Sequence, residues 1–208
     1  MRIAVFGASG GTGRLLVERA AAAGHQVVAV VRDPARLGAV SPDVTVVPAD
    51  VTDPAAVAAA VRDCDTVVSL LGPGTVRGPT TVRSDATATI VAAMRETEVR
   101  RLVVVTAAGH TTDGDGPVVR FLLKPLLSRL LRHSFADMRR TEAIVRGSGL
   151  DWTLVRPPRL SDAPGTGRYR TAVDRNVRGG LRLSRADLAD FLLRCVDSPA
   201  GRVVAIAY

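Results

Sequence analysis

The stretch MRIAVFGASGGTG, residues 1–13, decides the fold. Residues 3–6 are apolar on both faces, as a central parallel strand requires. Three glycines follow, Gly7, Gly10 and Gly13. Gly7 lets the chain turn sharply off the strand, Gly10 lets backbone approach a pyrophosphate, and Gly13 lets the next helix pack tightly on the sheet. The free N–H groups at that helix start, with the positive end of its dipole, face phosphates. Ordinary tight turns also use glycine, so the context decides. A helical stretch (15–23) follows, Gly24 sits at its C-cap, and the next apolar run, 27–31, ends about twenty residues after the glycines. The pattern reads as a dinucleotide-binding half-site, with Ser9, Gly11 and Thr12 completing the loop.

The end of the second strand chooses between coenzymes. A carboxylate there holds a ribose 2′-hydroxyl, whereas a 2′-phosphate wants arginine. The strand ends in Arg32, and Arg36 follows four residues on. Planar guanidinium groups suit bidentate phosphate binding. NADP(H) is therefore the expected coenzyme. The neighbouring Asp33 keeps NAD(H) open, and its other role is to cap a helix with Pro34 at the first position.

The 208 residues fit one domain with a real core, and scarce aromatics (3%) leave that core to Val, Leu and Ala. The formal charge of +8 could suggest nucleic acid. Nearly all of it is arginine scattered along the chain, and Lys124 is the only lysine, so no nucleic-acid stripe is expected. A basic field still draws in anionic cofactors and substrates. Cys64 and Cys195 match no metal or redox spacing and read as buried free thiols of a reducing compartment. The histidines His25, His110 and His133 show no metal spacing either, so no metal is expected. The chain enters its first strand at once and has no apolar run of spanning length, so a cytoplasmic protein without stable membrane insertion is expected, as monomer or homodimer.

Apolar strand-like runs recur at 3–6, 27–31, 44–47, 66–70, 102–105, 152–155 and 203–206. Helical patterns at 14–23, 54–61, 80–96 and a long segment before Gly147 lie between most of them. This alternation predicts an α/β fold: a doubly wound, mostly parallel sheet of Rossmann type over residues 1–208, with the substrate side in roughly 106–185. The run 111–116 reads as a mobile loop.

Ligands of such sheets lie beyond the carboxyl ends of the strands, so the residues just after each strand carry the site. After the third come Asp50, placed to accept from an adenine amino group, and Val51, placed to pack on the ring; Asp53 or Thr52 then caps a helix opened by Pro54. After the fourth come Leu70, Leu71, Gly72, Pro73 and Gly74, with Gly72 admitting backbone close to a ribose. Thr106 ends the fifth. Pro157, Pro158, Arg159 and Leu160 follow the sixth, and the prolines make a rigid loop that can lie against a nicotinamide.

These signatures resemble the atypical short-chain dehydrogenase/reductase superfamily. The marks are GASGGTG (7–13), RDP (32–34), Asp50-Val51, LLG (70–72) and SGLDWTLVRPP (148–158). Within it the sequence is similar to the NAD(P)H-binding group that contains biliverdin reductase B, or flavin reductase. VVSLLG (67–72), PTT (79–81), IVAAM (90–94), TGRY (166–169) and SRAD (184–187), which opens the last long helix, carry that likeness. The resemblance implies NADPH held by Gly7, Gly10, Thr12, Gly13, Arg32, Arg36, Asp50, Val51, Leu71 and Gly72, with Thr106 and residues 157–160 near the nicotinamide. Two positions depart. Flavin reductase-like members carry serine after the threonine of the fifth strand and histidine after the proline pair; this chain has Ala107 and Arg159. The acceptor is therefore not read from the resemblance.

Ordinary short-chain dehydrogenases use a tyrosine acid with a lysine four residues later. Lys124 is preceded at that distance by Arg120, and the only tyrosines are Tyr169 and Tyr208, so that chemistry is excluded. What remains is hydride transfer to an acceptor that spreads charge by conjugation, such as a flavin, quinone or tetrapyrrole. The protein then contributes positioning and electrostatics. The catalytic candidates are Arg159, for stabilising a developing anion or gripping an acidic substrate, or else paired with Asp162; Tyr169, which walls the pocket, donates a proton or packs at the core edge; and Thr106, a cofactor contact rather than an acid. Arg156 anchors its loop, and His110, one residue into the loop beyond a strand end, is either a weak proton-donor candidate or a surface side chain. The basic, apolar segment 118–132 covers the cleft, lies on a membrane surface or leaves an exposed remainder to serve a dimer, with Pro125 breaking or kinking it. The competing reading is an NADP(H)-sensing regulator without turnover, of NmrA type, against which stands the short chain after Tyr169. An isomerase would need an acid–base pair that the sequence does not offer.

Overall fold

The computed structural model describes residues 1–72, 79–117, 119–198 and 200–208, so Pro73, Gly74 and Val118 lie outside the described residues. In chain order the elements are β1 (Arg2–Phe6), α1 (Gly11–Ala22), β2 (Gln26–Val31), β3 (Val44–Pro48), α2 (Pro54–Val61), β4 (Thr66–Ser69), α3 (Val82–Glu96) and β5 (Arg101–Val105). There follow α4 (Lys124–Leu130), α5 (Arg132–Arg146), β6 (Asp151–Arg156), β7 (Arg159–Ser161), β8 (Arg170–Val173), β9 (Arg182–Ser184), α6 (Arg185–Cys195) and β10 (Arg202–Ala207).

Eight strands form one sheet in the order β3-β2-β1-β4-β5-β6-β10-β8. All neighbours are parallel except β8, which runs antiparallel to β10 at the edge. The order reverses direction between β1 and β4, the switch point beyond whose strand ends ligands of such sheets lie. The expected doubly wound α/β architecture is the one observed.

Alternation along β1 shows why both its faces are apolar. Ile3 and Val5 pack with Leu16, Ala20, Leu188 and Leu192 of α1 and α6. Ala4 and Phe6 pack with Val57, Ile90, Met94 and Val145 of α2, α3 and α5. Period-two geometry sends successive side chains to opposite layers, so a strand between two helix layers must be apolar throughout.

All seven predicted strands are present, and the predicted helices shift only at their ends, with α1 beginning at Gly11. Asp33 accepts from the Ala35 amide at 3.0 Å ahead of Pro34, and Asp53 accepts from Ala55 and Ala56 ahead of Pro54. Both are the capping roles the sequence allowed. β7, β8 and β9 are additional; β7 and β9 pair in a separate two-stranded parallel sheet.

The long segment before Gly147 divides at residue 131 into α4 and α5, preceded by a π-helical turn, Val119–Leu123. Pro125 accounts for the widened turn, since its ring crowds the carbonyl four residues back and it has no amide to donate. The run 111–116 is held rather than loose. The Lys124 ammonium pairs with Asp115 and donates to the Thr111 carbonyl, Asn176 Nδ2 donates to the same carbonyl at 3.0 Å, and the Asn176 amide donates to the Asp113 carbonyl at 2.7 Å. Cys64 and Cys195 are buried free thiols, and burial pushes Cys195 up to about 11. No helix among the described residues is long and apolar enough to cross a membrane.

Candidate functional site

The glycine loop leads from β1 into α1. Gly7 sits at φ +82°, and its carbonyl accepts from the Gly10 amide at 3.0 Å. A Cβ on Gly13 would lie 2.2 Å from the Gly7 carbonyl oxygen, so no larger residue fits without moving backbone. The helix beginning here carries no cap: Gly10 is its N-cap residue, offers no side-chain acceptor, and no acid lies in the first turn.

The starts of α2, α3 and α6 are closed. Asp53 caps α2 and Ser184 caps α6, accepting from the Asp187 amide. The start of α3 is closed from another helix. The buried Asp137 carboxylate of α5 accepts from the Arg83 and Ser84 amides, each at 3.1 Å, and from the Ser84 hydroxyl at 2.6 Å. Thus α1 presents free amides and an uncompensated dipole end to the cleft while α2, α3 and α6 do not.

Arginines gather at the tip of β2. Arg32 and Arg36 are exposed there. Arg14, in the first turn of α1, reaches across, donating to the Ser9 carbonyl at 3.2 Å and to the Arg36 carbonyl. It ties the glycine loop to the arginine loop. Arg185, at the start of α6, lies over Gly11, where a Cβ would come within 2.9 Å of its Cδ. Sequence reasoning missed both. Arg14 had a signal in its place one residue beyond the last loop glycine, but Arg185 is 174 residues from Gly11 and had none.

Asp50 Oδ1 accepts from the Thr52 amide at 2.9 Å and its hydroxyl at 2.8 Å, and the Thr52 bonds with the nearby Arg32 charge keep this exposed carboxylate below its usual value. Val51 packs on the core layer of α2. Leu70 and Leu71 are half-buried, and Gly72 leaves room for the Arg83 guanidinium, 3.1 Å from where a Cβ would be. Arg83 Nε donates to the Leu71 carbonyl at 3.1 Å, which fixes the loop after β4.

Beyond β5 and β6 lies a buried cluster that the sequence did not assemble. Glu142 of α5 accepts from the Thr106 hydroxyl at 2.9 Å and from Arg156 Nε at 2.8 Å, with a second bond from the same guanidinium. His110 Nε2 faces Glu142 Oε1 at 3.2 Å, and its Nδ1 faces the Ala107 carbonyl at 2.7 Å. Burial by itself would raise the Glu142 carboxyl, yet the bonds and charges of Arg156 and His110 outweigh it and hold the group at about 2. His110 is therefore buried, correcting the surface reading, and Arg156 anchors its loop through an ion pair. The signal for Glu142 was its place on the buried stripe of α5 with Phe135, Met138, Thr141 and Val145.

The loop after β6 is laced to the one after β5, with the Ala108 amide donating to the Pro157 carbonyl at 2.8 Å. Pro157 is buried, Pro158 and Leu160 half-buried, and Arg159 exposed. Asp162 pairs with Arg185 at 2.7 Å, so the alternative Arg159–Asp162 bridge is not formed. Tyr169 is not brought to this cluster. It packs at the edge of the α1/α6 core layer, edge-on to Phe191 at 5.8 Å, and burial raises its hydroxyl. The motifs at 166–169 and 184–187 meet through Asp187, which accepts from the Thr166 and Gly167 amides and from the Tyr208 hydroxyl. Lys124 is buried against the Ala108 carbonyl at 2.9 Å, far in role from a tyrosine partner. Among the described residues no cluster of three or more His, Cys, Asp or Glu is arranged to hold a metal.

Known proteins share this architecture. The YwnB protein of Bacillus subtilis is 25% identical over 211 residues, spanning 96% of this chain and 93% of its own. The solved anaerobillin reductase ChuY of Escherichia coli O157:H7 superposes with a TM-score of 0.78 at 25% identity, over 100% of this chain and 97% of that one. A wide-type short-chain dehydrogenase/reductase of Veillonella parvula, solved in complex with NADP, has the same fold, with a TM-score of 0.81 at 16% identity over 100% and 94% of the two chains. The family model described as NAD(P)H-binding matches residues 7–199, from the first loop glycine to beyond the last helix, and the chain belongs to that NAD(P)H-binding family.

Proposed function

We propose that the protein is a reductase that passes a hydride from NADPH, in preference to NADH, to a conjugated acceptor such as a flavin, quinone or tetrapyrrole-like molecule. The observation that carries this reading is the uncapped start of α1 above the Gly7–Gly13 contact, beside the arginines at the tip of β2. A loop closed to a Cβ at Gly13, next to free amides, fits a pyrophosphate. The likeness to an anaerobillin reductase supports a large conjugated acceptor, and the NADP-bound relative supports the coenzyme.

In this reading Gly7, Ser9, Gly10, Gly11, Thr12 and Gly13 hold the phosphates. Arg32 and Arg36, braced by Arg14, grip the 2′-phosphate. Asp50 and Val51 meet the adenine, and Leu70, Leu71 and Gly72 line the ribose. Thr106, Pro157, Pro158, Arg159 and Leu160 flank the nicotinamide. Bound NADPH supplies the hydride. Arg159 offers an exposed guanidinium to charge arriving on the acceptor or to its acidic groups. Glu142 spends its acceptor capacity on Thr106, Arg156 and His110, which keeps Thr106 in one orientation. Tyr169 has no part, because it sits in core packing. The buried free thiols support a cytoplasmic setting.

The test is NADPH oxidation by the purified protein with a panel of flavins and quinones, run beside Arg32→Ala and Arg159→Ala. Arg32→Ala is expected to weaken NADPH binding about tenfold or more while leaving NADH binding unchanged. An unchanged preference overturns the 2′-phosphate assignment. Tight NADPH binding without turnover on any acceptor overturns the reductase in favour of a sensing role.

A further inference from the structure

We propose that residues 120–132 dock the protein on an anionic lipid surface, independently of what it reduces. Phe121, Leu126 and Leu130 are 73%, 71% and 79% exposed, and Leu127 and Leu131 are also on the surface. Monomeric proteins rarely leave so many large apolar side chains side by side in water. The segment is not a loose tail. Lys124 turns inward to the Ala108 carbonyl and Asp115, and Leu127 lies against Gly109. With these two anchors facing the fold, Phe121, Leu126 and Leu130 form an outward ridge.

The charge on this ridge names the occupant. Arg120, Arg129 and Arg132 are exposed along it, Arg120 lying 5.6 Å over the Phe121 ring. No acidic residue occurs between Asp115 and Asp137. A second copy pairing through the same patch would bring these guanidinium groups against one another with no carboxylate of the segment to answer them. A bilayer with anionic headgroups satisfies both halves: acyl chains take the leucines and phenylalanine, and phosphates take the arginines. α4 is seven residues long, a length that suits lying in the interface rather than crossing it.

The experiment is flotation of the full chain with phosphatidylcholine vesicles, with and without phosphatidylglycerol. Binding is expected only to the anionic vesicles. It should fall about tenfold or more in the triple variant Phe121→Ser, Leu126→Ser, Leu130→Ser, which keeps every charge. It should also fall in Arg120→Gln, Arg129→Gln, Arg132→Gln. Because these side chains face water, both variants should keep the parent's thermal midpoint and NADPH affinity, so a failed dock is distinguishable from a failed coenzyme site. Three results overturn the proposal: no binding by the parent; undiminished binding by the serine variant, which would make net charge alone responsible; or a parent dimer that the serine variant disperses while vesicles recruit nothing.

Discussion

Two glycines with the same residue type carry different constraints. Gly24 follows the end of α1 at φ +81° with open space around it, so Gly24→Ala meets only the left-handed backbone penalty, about 1–2 kcal/mol. Gly13 has an ordinary helical backbone but no room, and Gly13→Ala must push apart two stretches of main chain. We expect it to destabilise by about 1–3 kcal/mol and to lower NADPH affinity, whereas Gly24→Ala leaves NADPH affinity unchanged. Urea unfolding and a fluorescence titration of both variants decide the matter; equal NADPH affinities would refute the cradle. At this scale the glycines, Asp33 and Asp53 were legible, because a local turn or cap depends on neighbours in sequence. His110 was not: its burial depends on Glu142 and Phe135, which the chain brings in from α5.

At the scale of elements, α5 carries two inward acids with separate tasks. Asp137 serves α3, and Glu142 joins the ends of β5 and β6. Replacing Glu142 by Gln leaves Arg156 and His110 buried around a neutral amide. The expected cost is about 3–5 kcal/mol in urea unfolding, the scale for breaking a buried pair from one side. A loss below about 1 kcal/mol would mean that the cluster is solvated in solution. The helices and parallel strands could be read from periodicity because both are buried against a continuous core. β7 and β9 are three residues long, and β8 is an exposed edge strand, so neither gave a pattern to read. The division of the segment before Gly147 was foreshadowed by Pro125, but not the outward turn of its leucines, which depends on the inward pull of Lys124.

Over the whole molecule, acid sensitivity follows from two carboxylates. Burial would raise both, but hydrogen bonds hold Glu142 at about 2 against an ordinary 4.5 and Asp187 at about 2 against 3.8. A folded value below the unfolded one gives stability that is complete above the unfolded value and is lost as pH falls through it toward 2. The contribution of these two groups should therefore be constant above about pH 5 and drop by a few kcal/mol between there and about pH 2. Urea midpoints across that range measure it, and a midpoint unchanged down to about pH 3 would contradict the assignment. The doubly wound, mostly parallel architecture was legible from the alternation of strands and helices, since handedness rules leave few ways to wind it. The antiparallel edge and the small second sheet were not, because they depend on contacts between distant parts of the chain.

The carboxylate of Asp137 has a consequence for how the molecule breathes. It supplies from one helix the terminal hydrogen bonds of another that lies more than fifty positions earlier. The opening turn of α3 is thus sheltered from solvent exchange only while α5 stays seated, and the two helices must loosen together as one cooperative unit beside the loop after β4.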